Sequence, residues 1–148
     1  MIARLRLLAR ERLNKSLERD RRVEGALDAL SRKVWPRPLW MLVVLVTVLA
    51  SLDHLSTFVV LGLSGREDVY ERGIVAAWAL RLGGFPMLLY VDIAAVGVLS
   101  FAAVSARYLY TRYGFAGFGR AAFVLLLAPY AIIALAAIYN NLLLNFFS

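Results

Sequence analysis

Residues 39–63 read LWMLVVLVTVLASLDHLSTFVVLGL, a run whose only ionisable side chains are Asp53 and His54. The hydrocarbon core of a bilayer is about 30 Å thick and needs roughly 20 apolar residues of helix, so this run is long enough to span it with some tilt. A helix in a soluble core rarely stays apolar on every face for this length. The run therefore predicts a transmembrane helix with a carboxylate, Asp53, inside it.

Two later runs are also long and apolar enough to span, at about residues 86–110 and 121–147. The apolar segment at about 73–83 is too short to cross a bilayer as a helix, and a Gly-Gly-x-Pro sequence ends it. We interpret it as a short interfacial or re-entrant helix. A single span over 74–99 is the alternative, which the Gly-Gly-x-Pro sequence and Arg81 disfavour. The predicted fold class is all-α, a multi-span membrane helical bundle with three transmembrane helices and this short helix.

The segment before the first span is basic. Residues 1–38 contain 11 of the 17 Lys and Arg residues and 5 of the 10 acidic residues, a local net charge of +6. Their apolar residues recur at helical spacing, which predicts an N-terminal amphipathic arm of one or two helices with a bend near residues 20–25. We divide the chain into this basic cytoplasmic helical arm, 1–38, and a transmembrane domain, 39–148. The cationic side chains predicted to contact lipid or a partner are Arg4, Arg6, Arg10, Arg12, Lys15, Arg19, Arg21, Arg22, Arg32 and Lys33.

The distribution of Lys and Arg predicts an orientation in the cell membrane. With a cytoplasmic N-terminus, the inner side of this multi-pass chain carries 14 Lys and Arg residues and the outer side carries three. Cytoplasmic loops of membrane proteins are enriched in these residues. We therefore expect a cytoplasmic N-terminus and an external C-terminus.

Polar residues recur at a similar depth in all three predicted spans. A rise of about 1.5 Å per residue places Asp53 about 21 Å along the first span, near the level of Asp92 and of two asparagines in the third. A charge buried in lipid costs several kcal/mol unless it is paired or hydrated, so the carboxylates need a counter-ion, a proton or a bound cation. The predicted ion or polar cluster comprises Asp53, Ser56, Thr57, Arg81, Asp92, Asn140 and Asn141. His54 lies about 100° around the helix from Asp53 and need not share the site.

Three interpretations of this cluster stay open at this point. Its members can hydrogen-bond between helices and fix their packing, with Arg81 as the counter-ion. They can bind a proton or a cation, for which oxygen ligands suit Ca²⁺, Mg²⁺ or Mn²⁺ better than zinc. Two carboxylates can also act as an acid and a base, although the sequence shows no nucleophile–base pair and no phosphate-binding loop.

Composition narrows the chemistry further. The chain has no cysteine and a single histidine, which excludes disulfides, thiol catalysis, zinc fingers and iron–sulfur clusters within it. A haem site is disfavoured because there is no second histidine. We therefore expect no cofactor and no enzymatic activity.

The stretch from Leu52 to about Val98 resembles the DUF5658 family of small archaeal and bacterial integral membrane proteins. That family is marked by an Asp-x-x-[Ser/Thr]-Thr signature in the first span and a Gly-x-Glu segment after it. The matching residues here are Asp53, Ser56, Thr57, Gly65 and Glu67, while Asp-Val replaces the Asn-Pro that follows the glutamate in the family. The resemblance implies a multi-span helical membrane protein and adds weight to Asp53 and Thr57.

The functional prediction is a small membrane accessory or anchor protein. Its basic arm would dock to a larger assembly or to anionic lipid, since the body is small and lacks a catalytic constellation. RNA is a possible but less favoured partner of the arm, and we expect membrane lipids with either other subunits or further copies of the chain as partners. The alternative is a small oligomeric transporter or ion-binding protein that uses Asp53 and Asp92.

Overall fold

The structure is a computed structural model that describes the backbone of residues 2–63 and 74–146 and the side chains of residues 14–63 and 74–143. Every regular element within those ranges is a helix. The order is α1 (Ile2–Val34), α2 (Leu39–Phe58), a π-helical turn (Val59–Leu63), α3 (Ile74–Arg112) and α4 (Ala116–Phe146).

Three stretches of the described residues are long and apolar enough to cross a membrane: Leu39–Leu63, Ile74–Arg112 and Ala116–Leu143. The all-helical fold and the three candidate spans are therefore confirmed. Many of their large apolar side chains point outward, such as Phe101, Ile132 and Ile133, each more than two-thirds exposed. Exposed apolar surface of this extent is typical of a protein surface that contacts lipid, and is unusual for one that contacts water.

A kink divides α3 into two helical segments. Gly83 (φ −153°, ψ 17°) and Gly84 (φ 64°, ψ −155°) both depart from helical geometry, and the conformation of Gly84 is one that essentially only glycine adopts. A short segment, 74–82, therefore precedes the long segment, 85–112. The predicted break at the Gly-Gly sequence is confirmed, and the uninterrupted helix of the alternative prediction is not observed.

The core lies where α4 packs against α2 and α3. Leu42 and Val46 of α2 are fully buried against Leu127 of α4, and Ala103 of α3 joins the same cluster. In contrast, α2 and α3 touch each other much less extensively than either touches α4. The bundle is therefore centred on α4, and α2 and α3 pack less extensively on each other.

The arm forms one continuous helix, Ile2–Val34, so of the predicted one or two helices the structure has one. A single glycine inside a helix costs only about 1 kcal/mol, and packing of the helix against α4 offsets that cost. The backbone N–H of Gly117, in the first turn of α4, donates to Glu24 Oε1 at 2.8 Å. Arg120 then donates to the carbonyl oxygen of Trp35 at 2.6 Å, just beyond the end of α1. The last third of α1 is thus attached to the start of α4, while the division of the chain into an arm and a membrane domain stays a prediction.

A tight turn reverses the chain between α3 and α4. Gly114 has a positive φ of 81°, and Phe115 N donates to Tyr110 O at 2.8 Å while Gly114 N donates to Thr111 O at 3.1 Å. This pair of bonds closes the helix as a Schellman motif, which satisfies carbonyl groups that the last turn leaves unpaired. The turn brings the start of α4 back beside α1. The polar residues lie at the opposite end of the bundle.

Candidate functional site

Polar side chains from three helices line one cavity of about 150 Å³. It lies toward the end of the bundle away from the arm. The lining residues are Asp53, Thr57, Ala76, Leu88, Asp92, Ala137, Asn140 and Asn141. The structure therefore brings together five of the seven residues in the cluster predicted from sequence.

His54 also belongs to this site. Its Nδ1 atom lies 3.2 Å from Asp92 Oδ2, so the imidazole of α2 is hydrogen-bonded to the carboxylate of α3. The two side chains are 15% and 30% exposed, respectively. The angle between His54 and Asp53 around α2 does not require this contact, which forms because α3 runs past the side of α2 that His54 faces. Asp92 can thus contact His54 while it lines the same cavity as Asp53.

A second set of hydrogen bonds joins α4 to α2 beside the cavity. The side-chain amide of Asn141 donates to Ser56 Oγ at 2.9 Å and to Thr57 Oγ1 at 3.1 Å. Ser56 in turn donates to the backbone carbonyl of Asp53 at 2.9 Å. Ser56 supports the cavity without lining it, and Thr57 is buried. These contacts hold two helices in a fixed register through polar groups, as is common in membrane bundles.

Arg81 takes no part in this lining. Its side chain is exposed on the short segment of α3, and it is not among the residues around the cavity. His54 lies against Asp92. Tyr130 of α4, which is not one of the predicted site residues, lies within electrostatic range of both Asp53 and Asp92. Nothing in its local sequence distinguishes this tyrosine from others in the chain.

The short segment of α3 covers one side of the cavity. Ala76 lines the cavity and Ala79 is fully buried. Just after the kink, the ring of Phe85 meets the ring of Phe58 edge to face, with centroids 4.9 Å apart. This contact lies beside the π-helical turn, a local widening that often occurs near functional sites. The kink and the ring contact together fix where the short segment lies.

The groups around this site are carboxylates, an imidazole, hydroxyls and side-chain amides. Within residues 2–63 and 74–146, no three His, Cys, Asp or Glu side chains come together in a group that could hold a metal ion. A carboxylate and an imidazole in contact can share a proton and exchange it with water.

The predicted contact residues of the arm whose side chains are described all lie on its exposed surface: Lys15, Arg19, Arg21, Arg22, Arg32 and Lys33. Arg32 bonds to Asp28, one turn earlier, at 2.8 Å. The predicted contact residues Arg4, Arg6, Arg10 and Arg12 lie outside the described side chains. The arm therefore presents an accessible basic surface, at least from residue 15 onward.

No protein-family model matches the chain, and no curated protein and no solved structure shows significant similarity to it. The resemblance to the DUF5658 family stays a prediction. Two of its matching residues, Gly65 and Glu67, lie outside the described residues.

Proposed function

We propose that this chain is a small multi-pass membrane protein that binds and releases a proton within the membrane, at Asp92, His54 and Asp53. The observation that carries the proposal is the position of Asp92, which is hydrogen-bonded to His54 and lines the same cavity as Asp53. Ionisable residues inside a membrane bundle are costly, and they commonly mark proton or ion pathways.

Helix packing alone does not account for these three residues. Asn141 already joins α4 to α2 through neutral hydroxyl groups, and neutral groups achieve this at a lower desolvation cost. Two carboxylates and an imidazole add ionisable groups that a purely structural contact does not need. A proton also suits the site better than a divalent metal, which prefers six or more oxygen ligands or a near-ideal octahedron of them.

The same proposal includes an orientation. The end of α1 and the start of α4 meet through Glu24 and Gly117, which supports placing the basic arm and the turn before α4 on one side of the membrane. Because positively charged segments are enriched in the cytoplasm, that side is cytoplasmic. The C-terminus is then external, and the short segment of α3 is a re-entrant helix on the outer side.

Infrared difference spectroscopy tests the proton site directly. The chain is placed in lipid nanodiscs, and spectra recorded at pH 5 and pH 8 are subtracted. We expect a carboxylic C=O band that is lost in Asp92→Asn and changed in position in His54→Gln. Asp20→Asn, at an exposed site on the arm, serves as the matched control and should retain the band.

Folding of each variant is checked by helical circular dichroism and by its elution volume. A band that is identical in the wild type and in the Asp53→Asn/Asp92→Asn double variant would contradict the proposal, because the signal would then come from other carboxyl groups. A wild type without any pH-dependent carboxyl band would contradict it as well.

A second function, the accessory or anchor role, is favoured by the arm itself. Its basic side chains are exposed while its last third is attached to α4, so a partner bound to the arm would be coupled to the membrane bundle. The partner we favour is an acidic subunit of a larger assembly, held next to anionic lipid. Nucleic acid is the less favoured ligand.

Native extraction in a mild detergent tests this role. We expect chains that co-migrate with the wild type at low salt and dissociate at high salt, since screening weakens contacts between exposed charges. The variant Arg19→Ser/Arg21→Ser/Arg22→Ser should lose them, whereas Arg81→Ser, outside the arm, should retain them. Association that survives the triple substitution would contradict the docking role.

A further inference from the structure

An apolar groove of about 170 Å³ lies between α1 and α4, at the end of the bundle where the arm is attached. We call it the arm groove. Its α4 wall extends from Ala121 to Ile132 and includes the small side chain of Ala128. The residues of its α1 wall recur at helical spacing on one face of the arm: Leu27, Leu30, Ser31 and Val34.

The arm groove opens to the surroundings of the bundle and offers them an apolar surface. Val34 on one wall is 55% exposed, and Ile132 on the other is 68% exposed. The hydroxyl group of Ser31 is turned to its own helix, since it donates to the backbone carbonyl of Asp28 at 2.8 Å. Such a surface is favoured in contact with hydrocarbon and disfavoured in contact with water.

The length of the arm groove matches one leaflet of a bilayer. Ala121 and Ile132 are eleven residues apart, which is about 16 Å along α4. The hydrocarbon core is about 30 Å thick, so one leaflet takes about 15 Å of it. A helix of another chain is about 10–12 Å wide and cannot enter a groove of this volume. The groove therefore suits a lipid acyl chain that lies along α4.

Two exposed cationic side chains lie near the end of the arm groove where α4 begins. Lys33 follows Leu30 of the α1 wall by three residues, so the two are neighbours on the surface of the helix. Arg120, which directly precedes Ala121 of the α4 wall, donates to the carbonyl oxygen of Arg37 at 3.5 Å. Lys33 and Arg37 therefore place positive charge beside this end of the groove.

This charge is available to an anionic group. Residues 31–40 contain three cationic residues and no acidic one. Arg32 is paired with Asp28, whereas neither Lys33 nor Arg37 forms an ion pair with another described side chain. Basic pockets beside membrane helices bind the head groups of anionic lipids.

We infer that the arm groove binds one anionic phospholipid. Its acyl chain lies along α4 between Ala121 and Ile132, and its phosphate group contacts Lys33 and Arg37. The lipid fills the recess between the arm and the bundle and stabilises the attachment of α1 to α4. This inference goes beyond the proposed function, because the groove shares no residue with the cavity around Asp92.

Native mass spectrometry tests the head-group contact. The delipidated chain is titrated with phosphatidylglycerol or with phosphatidylcholine that carries the same acyl chains. We expect one phosphatidylglycerol per chain, bound at least about tenfold more tightly than phosphatidylcholine. Lys33→Gln/Arg37→Gln should remove this preference. Arg21→Gln/Arg22→Gln, which removes the same charge farther along the arm, is the matched control and should retain it.

The same titration tests the position of the acyl chain. Ala128→Leu places a larger apolar side chain in the groove and should weaken the binding of both lipids at least about tenfold, which corresponds to the loss of about two buried methylene groups. Ala136→Leu, at an exposed position of α4 outside the groove, should bind them as the wild type does. Glycerol phosphate has no acyl chain and should not displace the lipid, a comparison that needs no variant. Folding of the variants is checked by helical circular dichroism and elution volume.

Several results would overturn the lipid site. Equal affinity for the two head groups, or equal losses in the two charge variants, would show that no phosphate contact forms at Lys33 and Arg37. Unchanged binding in folded Ala128→Leu, or displacement by glycerol phosphate, would show that the groove holds no acyl chain. Many lipids bound without a saturable first site would show only the lipid shell of the bundle. The infrared measurement at Asp92 can fail or succeed without affecting any of these results.

Discussion

Replacement of Gly84 by alanine tests how the kink in α3 positions the short segment. Gly84 has φ 64° and ψ −155°, a backbone conformation that costs other residues about 1–3 kcal/mol. Crowding adds little, because a Cβ atom at this position would meet only Pro86 Cδ, at 3.9 Å. We therefore expect Gly84→Ala to lower the free energy of unfolding by about 1–3 kcal/mol, through backbone strain alone.

The assay is unfolding in mixed detergent micelles, followed by the helical circular dichroism signal. Gly97→Ala is the matched control in the same helix, since Gly97 has helical geometry and a Cβ atom there meets nothing within 4 Å. That control should be neutral or stabilising by up to about 1 kcal/mol, the difference in helix propensity. If both variants had the same free energy of unfolding, the conformation assigned to Gly84 would be refuted.

Three further predictions concern contacts between helices. Gly117→Ala should destabilise the attachment of α1 to α4, because the new Cβ atom would lie 2.7 Å from Glu24 Cγ. Gly25→Ala is the control and should leave the attachment unchanged, since nothing lies within 4 Å of a Cβ atom there. The rate of proteolysis of the arm distinguishes the two variants. Asn141→Leu should lower the unfolding free energy by about 1–2 kcal/mol through loss of two interhelical hydrogen bonds, measured in mixed micelles. Arg120→Met should lower the free energy of unfolding by about 1–3 kcal/mol, because the carbonyl oxygen of Trp35, just beyond the end of α1, loses its charged hydrogen-bond donor. The same variant should raise the rate of proteolytic cleavage at residues 35–38.

The membrane character of the protein follows from composition because hydrophobic length is a local property of the chain. A run such as 39–63 is apolar on every face, so no tertiary contact is needed to predict that it is a helix long enough to span. The Gly-Gly sequence at 83–84 likewise predicts a break from residue identity alone, since Gly84 adopts a conformation that other residues avoid.

The depth of each polar residue is also a local property, but its partner is not. Counting residues along the spans places Asp53, Asp92 and Asn141 near one level, and the structure brings them to one place. Counting also suggested Arg81 as the counter-ion, whereas the structure has His54 against Asp92. That choice depends on which face of α2 turns toward α3, and helical spacing within one helix cannot determine it.

The sequence by itself thus determined the helical class, the three candidate spans, the break in α3 and the set of polar residues at one depth. Only the tertiary structure decided the pairing of His54 with Asp92, the attachment of α1 to α4 through Glu24 and Gly117, and the cavity that Asp53 and Asp92 share. The physical reason is that propensity and hydrophobicity act along the chain, whereas pairing and cavities depend on how helices rotate and diverge when they pack.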